Sequence, residues 1–171
     1  MANFMDVLNA RSSIRGYSDV KLTAEEINEI LKMGLKAPTA TNRQELHFTA
    51  VDCDSDIIRE VGGALNPSAP LGFVYGAPII FLISGEDAFG WSALDAGIAV
   101  ENMHLGTVDM GLGSVIIGCI SGVMNGEKKA YFNEKLGIPE GYSFQIALAV
   151  GHPAVEKEQH TFDFDKNVTV L

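Results

Sequence analysis

The longest patterned stretch of the chain runs from Ser92 to Gly118, SALDAGIAVENMHLGTVDMGLGSVIIG. At about 100° per residue its apolar side chains fall into two sectors rather than one stripe. Leu94, Ile98, Leu105 and Val108 share one face, while Ala96, Ala99, Val100, Met103, Gly106 and Met110 share the other. A helix with two apolar faces needs two covers. Asp95, Asn102 and Asp109, spaced seven apart, mark the strip expected to stay polar. Gly111 and Gly113 stop the helix, and residues 114–117 read as a short buried strand. The pattern predicts a central helix feeding a sheet. Its small-residue face fits a close subunit boundary and fits equally a helix buried inside one chain.

The same periodicity predicts a helix over residues 4–10 capped by Asn3, and one over 24–36 opened by the capping box Thr23 and Glu26 and halted by Pro38. Two more are expected from Asp54 or Ser55 to about 64, and over 127–136 with Asn125 as cap and Gly137 as stop. Apolar runs at 46–51, 78–84, 114–117 and 144–150 read as strands; the second, PIIFLIS, is continuous enough to be buried on both faces. Residues 62–76, rich in glycine with Pro67 and Pro70, form irregular surface chain and a candidate lid. Near the end, Phe162, Phe164, Val168 and Val170 alternate with strand character and could reach a partner subunit. Strands separated mostly by helices indicate an α/β or α+β sheet. With 171 residues and no break in composition, residues 1–171 are expected to form a single domain.

Charge narrows the partners. A formal net charge of -10 disfavours a broad grip on nucleic acid or anionic lipid, so any phosphate must be held locally. No stretch is long and apolar enough to span a bilayer, and the opening MANFMDVLNARSS lacks the zones of a secretory signal, so the cytoplasm is the expected compartment. Cys53 and Cys119 show no CxxC spacing, and His47, His104, His152 and His160 no paired spacing; no metal site is expected. His104 reads as a packed helix residue, Cys119 as strand-end packing and Trp91 as a core anchor ahead of a pocket wall. The chain carries no GxGxxG after a strand, no GxxxxGK[ST] and no GxSxG.

Three segments remain as candidates. Arg11-Ser12-Ser13-Ile14-Arg15 gathers two guanidiniums and two hydroxyls suited to a phosphate, although a solvated turn has the same spacing. Residues 37–44, APTATNRQ, offer hydroxyl and amide groups to a heterocycle's edge, as a plain connecting loop also would. Gly118, at the end of a buried strand, lets a flat ligand approach backbone N–H groups, or simply lets the strand turn.

These segments, with the central helix and Leu136-Gly137-Ile138-Pro139-Glu140-Gly141-Tyr142 ending at Gly151-His152-Pro153, resemble in order the flavin-dependent nitroreductase family. The resemblance implies an α+β fold, a three-layer α/β/α sandwich with a mixed, mainly antiparallel sheet, assembled as a homodimer with FMN at the subunit interface. It implies that Arg11, Ser12, Ser13 and Arg15 hold the phosphate and ribityl chain. Pro38, Thr39, Ala40 and Asn42, with Gln44 nearby, would line the cofactor from the partner, and Ile116, Ile117 and Gly118 would lie against the isoalloxazine. Lys157 is the nearest candidate for a further basic residue from the C-terminal segment. Glu45-Leu46 stands where many members have Pro-Trp, and the chain is short for the family. The implied activity is an NAD(P)H oxidoreductase in which NADH or NADPH reduces FMN, and a nitroaromatic, quinone or similar small electrophile reoxidises it by ping-pong kinetics. No side chain is then a catalytic nucleophile, because flavin N5 carries the chemistry. Reductive dehalogenation, conversion of the flavin itself, and dimeric flavin binding without turnover are the competing implications.

Overall fold

Four apolar runs become the strands of one antiparallel sheet, seen in a computed structural model that describes residues 3–171. Strands β1 (His47–Asp52), β2 (Ile79–Glu86), β3 (Gly113–Ile117) and β4 (Tyr142–Gly151) lie in the order β1-β2-β4-β3. Every strand pairing is antiparallel, with β2 central beside β4 and its register running from Ile79 opposite Val150 to Glu86 opposite Tyr142. The expected parallel component reduces to an isolated bridge between Ser13 and Ser114.

Alternation along β2 divides the core, since successive side chains leave opposite faces. Ile79, Phe81 and Ile83 pack under α2 (Ala24–Leu35) and α4 (Ser92–Asp109). Ile80 and Leu82 pack under α3 (Asp56–Leu65), α5 (Ser121–Met124) and α6 (Lys129–Leu136). The result is the three-layer α/β/α sandwich with α1 (Phe4–Ala10) against α4. Helix α2 starts where the sequence places it, with the Thr23 and Glu26 side chains each accepting the other's backbone N–H. Glycines let α2 and α4 close on each other: a Cβ at Gly106 would lie 1.9 Å from Met33 Sδ, and one at Gly34 would lie 2.9 Å from Met103 Sδ.

The two apolar sectors of α4 are real and differ in fate. Ala96, Ala99, Val100 and Met103 are buried against the sheet, whereas Leu94 is 60% and Ile98 43% exposed. Asp95 departs from its expected polar strip, being 3% exposed, because its carboxylate has a structural partner inside the chain.

Several other expectations are corrected. Trp91 is 56% exposed instead of anchoring the core. Cys119 is exposed, because the chain turns outward after β3. Residues 121–124 form α5, missed in a glycine-rich stretch, and Asn125 ends that helix rather than opening the next. The Asn125 side chain instead mimics a strand neighbour, donating to Phe144 O at 2.8 Å and accepting from Phe144 N at 3.1 Å. The alternating tail is no strand: it contains a single turn, α7 (Phe164–Asn167), and every residue from Ala154 onward is exposed. An apolar alternation becomes a strand only where a sheet edge receives it. No helix of the described residues is long and apolar enough to cross a membrane.

Candidate functional site

The segment from Arg11 to Ser18 leaves α1 in an extended course along the edge of the sheet. Ile14 N–H donates to Ser114 O at 3.0 Å, Ser18 N–H to His152 O at 2.9 Å, and Ala154 N–H to Gly16 O at 3.0 Å. Beneath it, the Tyr17 hydroxyl donates to Ile14 O at 2.7 Å, and burial raises the pKa of that phenol well beyond its ordinary value. His104 of α4 supports the segment from the other side. It is 1% exposed, with Nε2 standing 3.4 Å from Ser12 O and Nδ1 3.5 Å from a Glu101 carboxylate oxygen without a well-formed hydrogen bond. Burial lowers the His104 pKa, and Glu101 pulls it partly back up.

Side chains alternate along an extended segment, so Arg11, Ser13 and Arg15 leave on one side and Ser12 and Ile14 on the other. The Arg15 guanidinium lies over the ring of Tyr75, 5.6 Å from its centroid. Ser12 and Ile14 line a separate cleft of about 340 Å³ with Leu112, Pro153 and Lys157. The structure thus brings Ser12 and Lys157 together and sets them apart from the arginines. Among the described residues Arg11, Arg15 and Lys157 make no ion pair, whereas Lys21, Arg43, Arg59 and Lys129 are each bound to a carboxylate.

The loop carrying Pro38, Thr39, Ala40, Asn42 and Gln44 is built differently. Both Asp95 carboxylate oxygens accept the Ala40 N–H, at 3.1 and 3.0 Å, and fix the turn Ala40–Asn42 to the first part of α4. Thr39 Oγ1 accepts from Gln44 N–H at 2.9 Å, and Gln44 Nε2 donates to Asn42 Oδ1 at 2.9 Å. Arg43 pairs with Glu86 and lies 4.8 Å from the ring centroid of Phe89. Thr41, Asn42 and Gln44 have φ of 56°, 54° and 55°, with Arg43 at -71° between them; the left-handed conformation is costly for the β-branched Thr41 in particular. Thr39 and Gln44 border a cleft of about 130 Å³ closed by Leu46 and Phe48.

Directly after this loop, Glu45 is 6% exposed and neither carboxylate oxygen has a partner among the described residues. Continuing the β1–β2 register by two residues sets it opposite Glu86, whose charge is already taken by Arg43. Composition gave no warning of that burial; the replacement of Pro-Trp by Glu45-Leu46 was the available signal.

The third predicted group sits on β3 and the turn after it. Ile116 is partly exposed, Ile117 has its side chain in the core, and Gly118 is exposed. Ile117 therefore offers backbone alone. Among the described residues the backbone N–H groups of Gly118 and Cys119 find no backbone acceptor, which leaves two donors side by side at the strand end. Larger openings, of about 380 Å³ beside α6 and about 400 Å³ beside Cys53, contain none of the predicted residues. Burial pushes the Cys53 thiol up to about 12, which makes it a poor nucleophile.

Helix α4 shows how these groups relate. Ala40 hangs from Asp95 and Ser12 rests on His104, nine residues further on. At 1.5 Å and about 100° per residue, the two tethers are about 13 Å apart along the axis and on opposite flanks of the helix.

Comparison with known proteins places this arrangement. The family model described as "Nitroreductase family" matches residues 8–72 and 68–152. A protein of Archaeoglobus fulgidus with the provisional name NADH dehydrogenase/NAD(P)H nitroreductase is 30% identical over 168 residues, covering 95% of this chain and 92% of that one. FMN reductase (NADPH) of Bacillus subtilis is 30% identical, covering 90% of this chain and 67% of its own length. Among solved structures, a nitroreductase with bound FMN from Desulfitobacterium hafniense superposes with a TM-score of 0.87 at 24% identity over 100% of both chains. An FMN-dependent nitroreductase from Clostridium difficile gives 0.78 at 27% identity, over 97% of this chain and 98% of that one. With the fold, the order of its segments and these matches in agreement, the chain belongs to the nitroreductase family.

Proposed function

We propose that two copies of this chain enclose FMN between them and use it to pass reducing equivalents from NADH or NADPH to a small electrophile such as a nitroaromatic or quinone. The observation that carries this reading is the pair Arg11 and Arg15. In a chain of net charge -10 these guanidiniums lie on a pinned extended segment and, among the described residues, have no carboxylate to neutralise them. Their donors fit a phosphate, with Ser13 on the same side, while Ser12 and Lys157 line the separate cleft across the segment. Related proteins named FMN reductase (NADPH) in Bacillus subtilis and NADPH-flavin oxidoreductase in Vibrio harveyi support both cofactors.

Bound FMN would supply the hydride acceptance from nicotinamide and its delivery to the second substrate. The chain's own residues bind and orient. Pro38, Thr39, Ala40, Asn42 and Gln44 would border the ring from the second copy, held in their strained turn by Asp95 so that little rearrangement accompanies binding. The free N–H groups of Gly118 and Cys119 would face negative charge developing on the ring edge, and Ile116 would shield its face from water. No side chain needs to act as a nucleophile.

The placement of the residues supports a second copy. The arginine segment and the loop stand on opposite flanks and at different heights of α4, so a copy related by a two-fold axis would bring one chain's loop to the other's arginines. Leu94 and Ile98 on α4, Phe4, Met5 and Leu8 on α1, and Phe162 and Phe164 in the tail are exposed and unpartnered in one chain, as an obligate interface requires. The test is an absorbance spectrum of the purified protein with its mass in solution, before and after anaerobic addition of NADH or NADPH. A yellow dimer that bleaches supports the reading; a colourless monomer that takes up no FMN overturns it.

A further inference from the structure

Next to the arginine segment, the turn Gly72–Val74 presents an aromatic ring to one of its guanidiniums. The turn is rooted from both ends. Phe73 and Val74 are buried in the core between the sheet and α3. Upstream the chain is pressed onto α3 so closely that a Cβ at Gly62 would stand 1.6 Å from Pro70 O, a position only glycine tolerates. Downstream, Ala77 N–H donates to Val74 O at 2.9 Å. Between these anchors Tyr75 adopts φ 54°, followed by Gly76 at 80°. A bulky residue enters the left-handed region at a steric cost and stays there only where its surroundings over-determine it. The consequence is a ring that is 40% exposed, fixed at its base, and lying under Arg15.

We propose that Tyr75 is a positioning residue, a platform that holds the Arg15 guanidinium ready for the anionic end of FMN. This rests on the flavin reading above and adds a specific part to it. A carboxylate partner would hold Arg15 equally well, but it would consume the same in-plane N–H donors that a phosphate needs. An aromatic face attracts the flat of the guanidinium and leaves those edge donors free. An arginine drawn over a ring has also given up part of its rotamer freedom before the ligand arrives, so less is lost on binding.

The experiment is a fluorescence titration of flavin-free protein with FMN and, separately, with riboflavin, which lacks the phosphate. Tyr75→Asn removes the ring and suits the positive φ, so its fold is retained; Tyr75→Phe keeps the ring. Tyr75→Asn is expected to weaken FMN binding about two- to fivefold with riboflavin unchanged, and Tyr75→Phe to restore most of the affinity. In an Arg15→Ala background, Tyr75→Asn should add no further loss. An equal loss for riboflavin, no loss for FMN, or additive losses in the double variant each overturn the platform role. If the unaltered protein binds neither flavin, the reading of the whole site fails with it; if it binds FMN and Tyr75→Asn has no effect, the platform alone is lost.

Discussion

The two halves of the candidate site solve opposite problems. The segment from Arg11 to Tyr17 has a relaxed extended backbone, pinned to β3 and to Pro153, and among the described residues leaves its charged side chains free of carboxylate partners. The loop from Pro38 to Gln44 has its side chains tied to one another and its backbone strained, with a buried carboxylate as anchor. One half keeps binding capacity in reserve; the other keeps shape. A polar ligand with a charged tail and a flat head suits both.

The largest effect is expected at the arginines. Arg11→Ala with Arg15→Ala is expected to weaken FMN binding by about a hundredfold or more, because each charge-assisted hydrogen bond lost is worth about 1.5–3 kcal/mol. Thermal stability should hold, and riboflavin affinity should change little; a double variant that binds FMN as before removes the phosphate assignment. Asp95→Ala attacks the other half. It leaves the Ala40 N–H without its acceptor and is expected to cost about 1–3 kcal/mol in urea unfolding, with FMN and riboflavin affinities falling together.

Glu45 works in the opposite sense to Asp95. A buried carboxylate without a partner is destabilising, so Glu45→Leu should raise stability by about 1–3 kcal/mol. A fall in Tm would mean that a group outside this chain meets that carboxylate. Thr41→Gly should stabilise the loop by at most about 1 kcal/mol, since relief of the positive φ is offset by the freer unfolded chain.

The smallest expected effect concerns pH. Because burial holds the His104 pKa below its unfolded value, the unfolded chain binds the extra proton first. Stability is therefore intact above about pH 6.5 and declines as pH falls through the lowered folded value. Asp52 and Asp87 are also lowered, by their lysine partners, but their loss begins below about pH 4 and does not overlap. Glu101→Gln removes the charge that opposes the His104 shift, so the decline should become larger in a denaturant series between pH 7 and 5.

Much of this was legible in the amino-acid order. Helices α1, α2, α3 and α4 and the four strands fall where periodicity and caps put them, because a capping box or an apolar stripe acts within a few residues of itself. Both apolar sectors of α4 could also be read directly. The failures share one cause. Asp95, Trp91, Cys119 and the tail depart from expectation because exposure depends on what another part of the chain brings alongside: the loop at Ala40 buries Asp95, and among the described residues no neighbour covers Trp91. Helix α5 was missed because its glycine-rich sequence favours a turn, and the contact of Asn125 with Phe144, nineteen residues away, belongs to the tertiary fold.

The sequence by itself determined the elements, the order of the site segments and the family they resemble, since each is encoded in residue type and local spacing. Only the tertiary structure decided that Ser12 and Lys157 face one cleft while Arg15 lies over the Tyr75 ring, that Glu45 is buried without a partner among the described residues, and that the two halves of the site flank α4 on opposite sides. Those outcomes depend on side-chain direction and long-range packing, which an extended segment and a helix set by geometry that neighbouring residues do not carry.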